Sequence, residues 1–186
     1  DGLDEIRNQV ETALQLHVDL GERILVCVAG GDQPVVDTDA PQRQTRGNHH
    51  EQYQQDQQAV LRQISNEEPL NSIFVAICQM AERQSAAVRG AIMLKAADIL
   101  TLAAAPSFSE RYFEALASLA VADNVGSCGT AAFSGKTVIV PDISKHPYWH
   151  LYRELADMAQ VQACWSQPVK NAQGKVLGTF AIYHRQ

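Results

Sequence analysis

An α+β fold built on an antiparallel sheet is predicted by three features of this 186-residue chain. Two pairs of apolar runs, 88–95 with 98–106 and 161–169 with 175–184, are each separated by only a few residues. Such short connections suit antiparallel hairpins, because parallel neighbours need a long crossover. Segments with helical spacing precede the first hairpin and fill the space between the two. The resulting order of helices, hairpin, helices and hairpin lacks the strand–helix alternation of a doubly wound parallel sheet.

The elements follow in order. Leu3, Ile6, Val10, Ala13 and His17 are spaced three and four apart, which draws one narrow stripe on a helix over 3–20, the width of a two-helix seam. ERILVCVAG (22–30) reads as a strand, closed by the turn Gly30-Gly31-Asp32-Gln33-Pro34. Residues 37–50 are polar and aperiodic, so a linker or ordered loop is expected there. The glutamine-rich run 49–65 carries Tyr53, Val60, Leu61 and Ile64 as a thin apolar edge on a hydrophilic helix, and such an edge needs a partner helix. Pro69 disfavours helical geometry in the residue before it and ends that segment. A second helix places Ile73, Ile77 and Met80 on one side.

VRGAIMLK (88–95) and DILTLAAAP (98–106) form the first hairpin, and FSERYFEALASLAV (108–121) reads as a helix. The glycine-framed GSCGTAAF opens a short helix at 126. TVIV (137–140) is a strand ended by Pro141. Ser144-Lys145-His146-Pro147 begins another helix, since proline fits a first turn, with Leu151, Leu155 and Met158 as its core stripe. VQACWSQPV (161–169) and KVLGTFAIYH (175–184) pair around Asn171-Ala172-Gln173-Gly174.

Charge and composition narrow the function classes. A formal net charge of −6, a pI near 5.4 and no run of Lys or Arg leave no basic footprint for nucleic acid. No apolar run approaches the roughly 20 residues that cross a bilayer, and the charged start DGLDEIRNQ has no signal-peptide core. A cytoplasmic protein is expected. Asp1 and the stop at Gln186 read as the ends of a piece of a longer protein. Cys27, Cys78, Cys128 and Cys164 are scattered without a zinc-type spacing, so free buried thiols in a reducing compartment are expected.

The series LRQISNEEPLNSIFVAICQMAERQ, RGAIMLK, GSCGTAAF, TVIVPDI, HPYWHLYRELA, ACWSQPV and KVLGTFAIY resembles a GAF domain, of the bacterial type found beside PAS modules and ahead of cyclic-di-GMP or histidine kinase domains. The resemblance covers roughly 55–186. It implies a central antiparallel sheet with helices on one side and a pocket roofed by loops and helices on the other. It also implies a regulatory module that binds a small ligand, dimerises through flanking helices and signals to an output domain. On this reading 49–186 is the GAF domain with its linker helix, and 1–48 is a helix with a strand or linker, a candidate remnant of a preceding domain.

Within that frame the candidate pocket residues are Ser127, Cys128, Thr130, His146, Trp149, Tyr152, Cys164, Trp165 and Ser166. Cys128 sits where exposed backbone N–H groups can lower a thiol pKa. It can serve as a redox thiol, line a ligand pocket, or pack as a small hydrophobe while Ser127 caps the helix. Free methionine-(R)-sulfoxide reductases are GAF proteins with a similar Cys-Gly-Thr-Ala turn, which implies catalysis at Cys128. Against this, 107–127 holds no further cysteine and Cys164 lies inside a strand, whereas the chemistry needs a resolving partner within reach. His146, Trp149, His150 and Tyr152 suit a planar ligand or haem, and His146 with His150 makes only an incomplete metal pair. Cys164 and Ser166 share one face of their strand and Trp165 takes the other, with the first two favoured toward the pocket. Gly30-Gly31-Asp32 resembles the start of a diguanylate cyclase signature but lacks its glutamate and is a turn. The sequence names no cofactor, and a ligand-free dimerisation module remains an alternative.

Overall fold

The computed structural model describes residues 41–83 and 85–185. The helix expected over 3–20, the strand over 22–30, the turn at 30–34 and Cys27 all lie outside them. A long helix α1 (Pro41–Ser65) leads into α2 (Leu70–Glu82). The residues 41–48, expected as loop, are therefore helical, and the helix runs through the 48/49 boundary. Periodicity reveals a helix only when one of its sides is apolar, and this segment carries no such side. Proline at the first position of α1 costs no internal hydrogen bond.

Six strands follow, interleaved with short helices: β1 (Val88–Ala96), β2 (Ile99–Ala104), α3 (Glu110–Ala115), β3 (Ser118–Ala120), α4 (Gly126–Ser134), β4 (Val138–Val140), a 3-10 turn (Pro147–Trp149), α5 (Arg153–Ala159), β5 (Val161–Lys170) and β6 (Val176–Arg185). They form one sheet in the order β3-β2-β1-β6-β5-β4, antiparallel throughout. The expected α+β fold is what the chain adopts, with both hairpins in place. The helix expected over 108–121 is shorter: Ser109 caps it by accepting from the Tyr112 N–H, and Ser118–Ala120 instead pairs with β2 as an edge strand.

The two faces of the sheet carry separate cores. On one, α1 and α2 cover Ile92, Trp165, Phe180 and Ile182 with Val60, Ile73, Ile77 and Met80. The thin edge of α1 thus finds its partner helix within the chain: Val60 is 1% exposed. Arg83 Nε donates to Asp56 Oδ2 at 2.8 Å, tying the end of α2 back to α1. On the other face, α3, α4, the 3-10 turn and α5 cover Met93, Cys164, Ala181 and Tyr183, with Cys128 of α4 among the buried residues. Of the apolar stripe expected for the last helix, Leu155 packs against the core and the other two residues do not. Leu151 is 73% exposed and Met158 37%, while Ala156 and Ala159 are buried. The cause is geometric. The 3-10 turn breaks the register before Arg153, and small residues let this seven-residue helix lie close to the sheet.

Candidate functional site

The site is built from the start of α4, the last two strands and the turn that crosses above them. Gly126 adopts φ +54°, a conformation that favours glycine, and this bend aims α4 at the sheet. Gly129 allows close approach, because a Cβ there would stand 2.6 Å from the Ala120 carbonyl oxygen. Val125 occupies the cap position without a side-chain cap bond, so Ser127 is not the cap. Its hydroxyl instead accepts from Trp149 Nε1 at 2.9 Å, pinning the 3-10 turn to α4.

Strand register supplies the floor. Cys164 lies opposite Tyr183 and Ser166 opposite Ala181, so alternation sends Cys164, Ser166 and Tyr183 to one side. Ser166 Oγ donates to Cys128 Sγ at 3.4 Å, and the Tyr183 hydroxyl lies 3.7 Å from the same sulfur. Tyr183 meets Trp149 edge to face, with ring centroids 6.3 Å apart. Ser127, Cys128, Trp149, Cys164 and Ser166 therefore come together as one buried group. Trp165 faces the helical layer, edge to face with Phe180, and its Nε1 is buried without a hydrogen-bond partner.

The other candidates are less central. Thr130 is buried but spends its hydroxyl on the Gly126 carbonyl at 2.8 Å. His146 caps the 3-10 turn, accepting from the Tyr148 N–H at 3.3 Å, and His150 is exposed with Nδ1 2.9 Å from the Pro147 carbonyl. Tyr152, half-buried, stands at the mouth beside Gly126. Among the described residues no three His, Cys, Asp or Glu gather as a metal ion would need.

Two residues absent from the sequence reading complete the site. Tyr112 stacks on Phe108 at 4.3 Å, and its hydroxyl is buried without a hydrogen-bond partner, although Tyr183 is near enough to influence it. Tyr183 itself could have been found by counting the second hairpin's register from its turn; Tyr112 gave no such signal. Burial pushes the Cys164 thiol up, with Cys128 beside it adding to the shift. Burial likewise raises Tyr183 and Tyr112, so this group stays neutral near pH 7. Cys78, Cys128 and Cys164 are free and buried.

Between Tyr112, Leu119, Ser127, Cys128, Trp149 and Tyr183 runs a crevice of about 290 Å³ including its mouth. It is nearly shut. Only about 10 Å³ would accept the centre of a water molecule, the room one water needs.

The profile of the family described as GAF domain matches residues 69–186. A methyl sulfide methyltransferase-associated sensor of Methanosarcina acetivorans is 33% identical over 132 residues, 70% of this chain. The chain spans only 13% of that protein's length. Among solved structures, the GAF domain of a phosphoenolpyruvate-protein phosphotransferase from Coxiella burnetii superposes with a TM-score of 0.59 at 18% identity, covering 75% of this chain and 79% of that one. A type II free methionine-R-sulfoxide reductase from Thermoplasma acidophilum gives 0.50 at 19%, covering 61% and 73%. At these identities the two structures speak for the fold alone.

Proposed function

The chain belongs to the GAF domain family, and from that premise we propose that it is a cytoplasmic sensory module whose crevice admits a small molecule. Entry of the ligand displaces the 3-10 turn and α5, and the sheet passes the strain to α1 and α2. Paired N-terminal helices of a homodimer then carry it to an output domain of a longer protein, of the cyclic-di-GMP or histidine kinase type. The carrying observation is the buried polar group Ser127–Trp149 and Cys128–Ser166–Tyr183 at the crevice floor. A few polar atoms in an otherwise apolar crevice are what orients a small ligand. The sensor name of the Methanosarcina relative supports the same reading.

A thermal-shift screen of small metabolites tests it. Hits should raise the Tm of the natural chain and leave Leu155→Trp, which fills the crevice from its half-buried rim, unmoved. Hits that shift both proteins equally, or a screen without hits, would count for a ligand-free dimerisation module.

One observation favours a second, thiol-based reading: the fold brings Cys164 beside Cys128, supplying the neighbour the sequence did not show. Burial works against it, because Cys128 is 2% exposed and out of a substrate's reach. Assay of free methionine-R-sulfoxide reduction, with Cys128→Ser as control, should show no turnover. Turnover lost in the variant would establish the enzyme.

A further inference from the structure

Resting on the crevice as a ligand site, we infer the class of its ligand: a small, uncharged, planar molecule about one ring in size, bearing a hydrogen-bond acceptor that the Tyr112 hydroxyl reads. Three independent observations converge on this. The first is charge. Among the described residues, none that lines the crevice is Asp, Glu, Lys, Arg or His. Nothing there offsets the desolvation of a carboxylate, phosphate or ammonium group, and that cost is large. Anionic nucleotides are therefore excluded on chemistry.

The second is shape. Tyr112, Trp149, Tyr152 and Tyr183 supply four aromatic walls, and ring faces and edges favour a flat partner. The crevice is nearly shut, with room for about one water molecule, far below the roughly 300–1,000 Å³ of open ligand pockets, so its ligand is small and enters only as the rim opens. A single ring is the smallest flat unit these walls can grip, and it enters as Tyr152 and Leu155, half-buried at the rim, swing outward.

The third is the orphaned donor. Tyr112 is 1% exposed and lines the crevice, yet its hydroxyl meets no partner in hydrogen-bond geometry, the nearby Tyr183 hydroxyl included. Ser127, by contrast, is engaged with Trp149, and Cys128 with Ser166. An unbonded buried hydroxyl is a standing cost that an acceptor on the ligand removes. Tyr112 is thus the residue that distinguishes an oxygen-bearing ring from a plain one.

Three probes of one shape test this: acetophenone, with a carbonyl acceptor; α-methylstyrene, with a methylene in its place; and benzoate, with a charge. Chemical-shift titration of the Trp149 indole N–H reads their binding. Acetophenone should bind about three- to tenfold more tightly than α-methylstyrene, the range of one net hydrogen bond, and benzoate should bind at least about tenfold more weakly than acetophenone. Tyr112→Phe, which removes only an unbonded oxygen, should bring acetophenone down to α-methylstyrene and leave α-methylstyrene unchanged. A flat series, benzoate binding as well as acetophenone, or a series untouched by Tyr112→Phe would overturn the ligand class while the crevice stands as a binding site. Absence of binding by all three would overturn both.

Discussion

The two faces of this sheet are made by the same strands and held by different means. Toward α1 and α2, Trp165, Phe180 and Ile182 meet Ile73, Phe74, Ile77 and Met80 in a core of apolar side chains. One residue along each strand, Cys164, Ser166 and Tyr183 face the crevice, where contact is made through a hydroxyl, a thiol and a phenol. The first face draws its strength from buried area. The second buries an apolar cluster as well, and adds to it bonds with fixed partners and close backbone approach. A sheet can thus carry an apolar core on one side and a core seamed with polar bonds on the other.

The largest test of that contrast is Phe180→Ala. It empties the helical core and should cost about 4 kcal/mol in urea denaturation; a loss under about 1 kcal/mol would mean the helical face is not the anchor. Gly129→Ala comes next. Its Cβ would meet the Ala120 carbonyl at 2.6 Å, so α4 must retreat, at about 2–3 kcal/mol. The same measurement should show it, with an unchanged value refuting close approach as the principle of this side. Ser127→Ala removes the acceptor of the Trp149 indole and should cost about 2 kcal/mol, with a shift in Trp149 fluorescence. Ser127→Thr, which keeps an acceptor, should recover part of the loss.

Graded rather than fixed in size is the alkaline response, which grows with pH. Cys164, Tyr112 and Tyr183 on the crevice side, and Cys78 on the helical side, all have pKa values raised by burial. Above the unfolded pKa the unfolded chain gives up protons that the folded chain keeps, so stability falls as pH rises. The decline should begin near the ordinary thiol value of about 8.5 and steepen past the tyrosine value of about 10. A melting temperature flat from pH 7 to 10.5 would contradict the burial of these groups. The smallest effect belongs to Tyr112→Phe at neutral pH. An orphaned hydroxyl contributes nothing to lose, so stability should stay within about 0.5 kcal/mol; a larger drop would reveal a partner for that oxygen.

Much of this was legible in the sequence, and the reasons differ by element. Val- and Ile-rich runs with short turns marked β1, β2, β5 and β6, because hairpin partners lie close in sequence. Alternation alone separated Cys164 and Ser166 from Trp165. The edge strand Ser118–Ala120 was hidden by its three-residue length, too short for any period to register. The crevice was only half legible: Ser127, Cys128 and Trp149 sit within one motif series, whereas Tyr112 enters through a helix whose orientation is fixed by tertiary packing against Phe108 and Tyr183.

The strand order sets a timetable for assembly. β6, the last of the described strands, lies between β1 and β5, pairing Val88 with His184. On a ribosome adding about 5–20 residues per second, the β1–β2 hairpin can form early, but the β5–β6 hairpin and its junction with β1 must wait for β6. Until then Phe74 and Ile77 of α2 lack the Phe180 and Ile182 side chains that cover them in the finished fold. Such late, long-range closure makes folding slow for a domain of this size, and the waiting apolar face of α2 is the surface a chaperone would meet.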